Sequence, residues 1–247
     1  MSIAQSKIAQ EVGIIMGPVT FQSDYGQKNN FKTNVGNTGF GLGIVHFLNF
    51  SANNNSESYF TEHFKVRSEL SFNTTKLEHF GKWVDSEKKK EVVKRLGSMH
   101  GSSTLVNLGG QIEFSPFMKI HDFENTIGGF SPYFSLGFQV SYYNTKVDSR
   151  LGTLGLPQYT FPKYLTPSDG RPYGFSTEDG IVLSATAGVG ARYKLTEMSD
   201  LMFETRFQAF NSDWVDGLNP NKAIYKENKS NDWQVWFNFG YIYYLEF

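Results

Sequence analysis

Seven charged side chains fall on the polar faces of alternating segments of this chain: Lys65, Arg67, Glu69, Glu113, Arg192, Glu204 and Arg206. Eight strands closed into a barrel leave an interior that side chains can just fill. Charges placed there must pair, because breaking a buried pair leaves an uncompensated charge at high cost. The expected role is an ion-pair plug of the lumen, with a proton or ion path as the alternative. Lys65 and Arg67 are expected to reach Glu113 on the next strand, and Arg192 to reach Glu204 across a tight turn.

Other chemistry has thinner support. W-V-D occurs twice, at Trp83–Asp85 and Trp214–Asp216. Trp83, Trp214, Trp233, Tyr243 and Phe247 suit membrane-interface anchors, whose amphipathic rings sit at headgroup level. Asp24, Asp85, Asp213 and Asp216 offer oxygen atoms to a divalent cation, but no D-x-D-x-D-G spacing joins them, so no metal is expected. His100 lies beside Ser98, Ser102 and Ser103, and His79 near Asp85, without a motif that fixes nucleophile and base. Cysteine is absent, and so are a Gly-rich phosphate loop and Cys/His metal spacing. The chain is therefore expected to be no enzyme and to carry no cofactor. A formal net charge of −1 argues against a nucleic-acid partner.

Two linkers stand out. One holds Lys82, Lys88, Lys89, Lys90, Lys94 and Arg95, and suits either a solvated loop or contact with lipid phosphates. In the other, Val147–Asp179, Pro157, Pro162, Pro167 and Pro172 recur every five residues, with Tyr159, Phe161, Tyr164, Tyr173 and Phe175 among them. Proline lowers the entropy lost on docking, and exposed aromatics supply contact area. A lid over a barrel mouth and a surface for a protein partner both fit.

The elements that position these residues follow from a period of two. From Trp233 onward one face reads Trp233, Val235, Phe237, Phe239, Tyr241, Tyr243, Leu245, Phe247, and the other Gln234, Trp236, Asn238, Gly240, Ile242, Tyr244, Glu246. An apolar stripe of that length with terminal aromatics suits a strand between lipid and a polar lumen. Seven further segments alternate: Val12–Phe21, Thr38–Asn49, His63–Thr75, Thr104–Phe117, Tyr133–Lys146, Gly180–Leu195 and Leu201–Ser212. Val12–Phe21 and Thr38–Asn49 are apolar on both faces, which leaves their phase open. The best helical stretch is Ser86–Leu96, inside a loop. No run approaches the ~18 apolar residues of a membrane helix. Aromatics at 16% and 24 glycines fit a barrel. In a soluble barrel, the alternative, the polar faces would carry more Lys and Glu than the Gly, Ser, Gln and Asn found here.

Linkers after odd-numbered segments are the longer set, the asymmetry of outer-membrane barrels. An even strand number then places both termini on the short-turn rim, the periplasmic one. The expected architecture is all-β: an eight-stranded antiparallel up-and-down transmembrane barrel, residues 1–247 forming one domain. Residues 1–10 are expected to be a signal-peptide remnant or a disordered tail, from the small-x-small pattern of Ser2 and Ala4.

These features resemble small outer-membrane barrels of the OmpA/OmpX/OmpW type. The stretches Gly17–Gly26, His79–Asp85 and Ser212–Pro220, together with N-D-W-Q-V-W-F-N-F-G-Y-I-Y-Y, more narrowly resemble an uncharacterised outer-membrane barrel family of the Bacteroidota. The resemblance implies a barrel in the outer-membrane lipid and lends no activity. The expected function is a structural anchor that presents extracellular loops to a protein or glycolipid partner, alone or within a larger envelope complex. The alternative is a porin-like narrow channel, or a barrel that binds a small hydrophobic ligand.

Overall fold

In the computed structural model the alternating segments become β1 (Ala9–Gln22), β2 (Thr38–Asn49), β3 (Phe64–Glu78), β4 (Met99–Phe114), β5 (Phe130–Ser149), β6 (Glu178–Thr196), β7 (Ser199–Phe210) and β8 (Trp233–Leu245). Each pairs antiparallel with its sequence neighbour, and β1 pairs with β8, so the sheet closes. Closure removes the edges that an open sheet would expose. The structure describes residues 8–26, 34–51, 58–81, 83–84 and 90–245. Phe247, Asp85, Lys82, Lys88, Lys89 and the first seven residues lie outside the described residues.

Strand β2 has the expected bounds, whereas β4 starts five residues earlier than the alternation shows, at Met99 rather than Thr104. There Ser102 and Ser103 make both faces polar, and alternation carries no signal where a strand has left the apolar layer. Ala9 and Gln10, expected in the N-terminal tail, pair with Asn49 and Leu48. Among the described residues three short α-helices join the strands: α1 (Tyr59–His63), α2 (Glu91–Ser98) and α3 (Ile120–Glu124). Of these, α2 overlaps the expected helix, while α1 and α3 are too short to show a helical period.

The two faces of the sheet are inverted relative to a water-soluble barrel. Outward positions are apolar on every strand and exposed: Ile14, Ile44, Leu70, Leu108, Phe138, Leu183, Phe207 and Phe239 mark one per strand. Inward positions carry Arg67, Glu113, Gln139, Arg192, Glu204 and Asn238, all buried. Lipid is the solvent that satisfies such an exterior, so this is a transmembrane barrel. The inward face of β1 is Glu11, Gly13, Ile15 and Val19, and that of β2 is Gly41, Gly43, Val45 and Phe47. The glycines are needed for space. A Cβ on Gly41 would lie 2.6 Å from Cζ2 of Trp236, whose buried indole crosses the lumen against β2.

The filled lumen and its two closures

From the rim that carries the termini, the inner end, to the opposite, outer rim, the barrel interior is charged with an apolar cluster beside the charges, then polar and neutral, then apolar. Among the described residues five cations (Lys65, Arg67, Arg192, Lys194, Arg206) and five carboxylates (Glu11, Glu69, Glu113, Asp200, Glu204) are buried in the charged layer, and the formal charges of these ten cancel. Arg67 Nη1 donates to Glu113 Oε1 at 2.9 Å and to Glu204 Oε2 at 2.7 Å. Arg206 bridges Glu204 and Glu69, with both contacts at 2.7 Å. Arg192 joins Glu11 (2.6 Å), Glu113 (3.0 Å) and Asp200 (3.2 Å). Lys65 donates to Glu11, and Tyr133 donates to Glu204 at 2.8 Å. The result is one connected chain, Glu69–Arg206–Glu204–Arg67–Glu113–Arg192–Glu11–Lys65, spanning five strands.

All seven charged residues singled out in the sequence lie in this layer, but two expected pairings are corrected. Lys65 turns to Glu11 and Glu124 rather than Glu113. Arg192 does not meet Glu204; in the β6–β7 ladder it lies opposite Met202, and its guanidinium runs across the lumen. Adjacency of strands identifies neighbours in the wall, whereas arginine is long enough to find partners across the interior. Glu11, Lys194, Asp200 and Glu124 were missed. Glu11 falls just before the expected first strand, yet it shares the alternation of Gly13 and Ile15, which was the available signal.

The inner mouth is closed by α3. Its Ile120 and Phe123 are buried, and its Glu124 accepts hydrogen bonds from Asn49 Nδ2 and from Lys65 Nζ, the latter at 3.3 Å. Above the charges, Ser141 Oγ donates to Asn107 Oδ1 at 2.6 Å, and Gln234 Nε2 donates to Gln208 Oε1 at 2.7 Å. The side-chain amide of Asn73 above the charges, and that of Asn238 and Nε1 of Trp236 beside Glu204 and Arg206, are buried with no hydrogen-bond partner among the described residues.

The outer mouth is closed by an apolar cluster that includes Phe21, Tyr25, Leu77, Leu105, Tyr164, Phe210, Val215 and Leu218. Residues from three separate linkers meet here: Tyr25, His79, and Val215 with Leu218. Ser212–Pro220 enters the mouth with Val215 and Leu218 fully buried, and Ser103 Oγ donates to Val215 O at 2.6 Å. The Asp24 amide donates to Asp216 Oδ2 at 2.7 Å, and the Asp216 amide to Asp232 Oδ2 at 3.0 Å. His79 lies against Tyr25, with ring centroids 4.9 Å apart, and near Tyr164. Burial among these rings, opposed by a backbone hydrogen bond with Tyr25 and assisted by the charge of Lys163, holds the His79 imidazole down to about 3.

Several other expected sites are also revised. Trp214 is not at a lipid interface; it is 3% exposed, its Nε1 donates to Asp169 Oδ2 at 3.1 Å, and the Arg171 guanidinium stacks on its ring at 3.8 Å. The W-V-D motif therefore serves the cap at that position. Trp83 is exposed, Tyr243 faces outward, and Trp233 stacks on Phe207 of the outer wall. The proline-aromatic segment is a lid: Tyr164 is buried, Phe161 and Phe175 pack on the cap cluster, and Tyr173 stacks on Phe175 at 5.1 Å. Of the two readings open for this segment the structure has the lid, with Tyr164 buried and Tyr159, Phe161, Tyr173 and Phe175 half-buried. Pro157, Pro162, Pro167 and Pro172 remain on the outside. Apolar rings in a loop next to a barrel mouth are more stable buried there than in water. Among the described residues no group of three acidic or histidine side chains is arranged to hold a metal ion, and no serine hydroxyl hydrogen-bonds to His79 or His100.

No family model and no curated protein matches the chain. Similar solved structures include Ail, the attachment invasion locus protein of Yersinia pestis, in complex with the heparin analogue sucrose octasulfate, at 13% identity over 96% of this chain and 99% of that one, with a TM-score of 0.43. Neisserial surface protein A is 13% identical over 95% and 96%, with a TM-score of 0.43. A major outer membrane protein from Thermus thermophilus is 12% identical over 97% and 100%, with a TM-score of 0.47. None of them is near enough to lend this chain an activity or a partner.

Replacing Glu113 by Leu removes an acceptor from both Arg67 and Arg192 and should lower stability by about 3–5 kcal/mol. Glu227→Leu, on an outer loop, should stay within about 0.5 kcal/mol. Denaturant unfolding in detergent micelles measures both, and equal losses would contradict the ion-pair account. The cap has its own pH dependence. His79 binds a proton in the open state near its ordinary value, but in the closed cap only near 3. Closure is therefore fully favoured above about pH 6.5 and weakens as pH falls towards 3, by about 1.4 kcal/mol per pH unit. Protection factors of the Val215 and Leu218 amides, with the intrinsic pH dependence of exchange divided out, should fall with pH below about 6.5, by up to about tenfold per unit, and in His79→Phe this component should vanish.

Proposed function

We propose that the protein is a non-enzymatic barrel of the outer membrane of a Gram-negative cell. It acts as a closed structural anchor that presents its outer loops to a protein or glycolipid partner, alone or as part of an envelope complex. The observation that carries this reading is the interior: charges paired within the lumen, α3 across the inner mouth and an apolar stopper across the outer one. A molecule sealed at both ends offers rigidity and loop display rather than passage. The longer loops leave the rim opposite the termini, which supports periplasmic termini and outward-facing loops. Trp83, Trp233 and Tyr243 are proposed as interface anchors. With Tyr164 buried and the other lid aromatics half-buried, the proposed partner surface is the outward prolines and the Ser168–Pro172 turn.

A narrow polar path is the second reading, and what favours it is the set of unpartnered buried groups on Asn73, Asn238 and Trp236. It requires the apolar cap to open. Planar-bilayer recording decides between them. The anchor reading expects insertion without stable single-channel current at neutral pH, and a stable current from the wild-type chain would establish the path instead.

A further inference from the structure

We infer that the outer wall over β3, β4 and β5 holds the phosphomonoester headgroup of a multiply acylated glycolipid between Lys76 and Lys146. The inference rests on the outer-membrane reading and adds a specific lipid site to it. The ladder rows on the outward face carry it. Leu70–Leu108–Val140–Leu183 and Phe72–Val106–Tyr142–Ile181 are apolar rows. The next row outward is Thr74–Thr104–Asn144–Asp179, and the one beyond it is Lys76–Ser102–Lys146. Four residues separate Lys76 from Phe72, about 13 Å along a strand and about 10 Å along the membrane normal at a tilt near 40°. That is headgroup depth, which a flexible lysine stem can adjust.

Lys76 and Lys146 flank Ser102 across two strand spacings, about 10 Å between backbones. Both are exposed, and neither makes an ion pair among the described residues. They are also the only lysines or arginines on the outward face of the described strands, all others being lumenal. Lysines that merely anchor a barrel at the interface would be distributed around it, whereas these two share one row of one sector. Of the carboxylates beside them, Glu78 has a cationic partner in Arg150 at 2.5 Å. Asp148 and Asp179 accept hydrogen bonds from neutral donors, the Ser149 amide at 2.7 Å and Tyr142 OH at 3.0 Å, and keep their charge, so the attraction for an anion is local to the two lysine ammoniums. Further out, α2 is preceded by Lys90 and carries Lys94, both exposed.

Charge decides the headgroup. A phosphomonoester carries nearly two negative charges at neutral pH, which two lysines match, while a phosphodiester carries one. The wall supplies the rest of the fit. An outward depression of about 600 Å³ is lined by Leu108, Phe138, Val140, Ala185 and Ala209. It runs from β4 to β7, broader than a single acyl chain, and opens where alanines stand between larger side chains. Val140 lies six residues below Lys146, about 20 Å along the strand, so chains descending from the phosphate reach it within one leaflet.

The test places the full chain in nanodiscs of phosphatidylethanolamine and phosphatidylglycerol containing an acylated diglucosamine lipid with or without its phosphomonoesters. Lipid retained after mild detergent exchange is counted by native mass spectrometry. Wild type should retain the phosphorylated lipid about thirty-fold better than the dephosphorylated one, from about 1 kcal/mol per lysine. Lys76→Gln with Lys146→Gln should lose that preference while keeping heat-modifiable gel mobility. Equal retention of the two lipids by the wild type overturns the proposal without any variant. So does a preference unchanged in a folded double variant, or displacement of the lipid by millimolar inorganic phosphate, which would mark a soluble-anion site. A chain that fails to insert overturns the membrane reading itself, whereas insertion without preference overturns this site alone.

Discussion

Closing eight strands leaves an interior that must be filled by the side chains that point into it, and the rest of this molecule follows from how they are satisfied. With lipid outside, apolar burial does not draw side chains into the lumen. Cohesion there comes from charge pairing and hydrogen bonds. Glu204, held by Arg67, Arg206 and Tyr133, sits at the centre of a chain of contacts from β1 to β7. The same network fixes register. A one-residue slip of β3 would send Lys65, Arg67 and Glu69 into lipid and bring Val66, Ser68 and Leu70 inside.

The outer closure solves a different problem. Beyond the apolar layer the barrel continues into water, and an open mouth would hydrate the polar middle of the lumen. Segments from three separate linkers supply the stopper: Tyr25 after β1, His79 after β3 and Val215 after β7, with Tyr164 of the lid laid over them. Backbone donors meet aspartates beneath the lid, as at Asp24 and Asp216, so the buried turns keep their hydrogen bonds.

Much of this was legible in the sequence. Period-two alternation located every strand, and the mixture of Gly, Gln, Asn and paired charges on the second face located the lumen. The phases of β1 and β2 were not legible, because Ile15, Val45 and Phe47 face inward as well; they pack with Trp236 in a lumenal apolar cluster. Partner choice across the lumen was hidden too, since it depends on which strands face each other and on arginine reach, as Arg192 with Glu11 shows. Trp214 carries an interface-anchor residue type, but a cation from the lid, Arg171, and the fold of the last outer loop bury it. Local sequence does not encode which loop docks into which mouth.

The central claim is that buried charges hold the barrel through one another rather than singly. A double-mutant cycle of Arg67→Met and Glu204→Met, measured by reversible denaturant unfolding in a defined lipid or detergent, tests it most directly. Each single change should cost about 3–5 kcal/mol by leaving the buried layer with one uncompensated charge, and the double variant should recover part of that loss, giving a coupling of about 2 kcal/mol or more. Losses that simply add, with coupling within about 0.5 kcal/mol, would contradict the account.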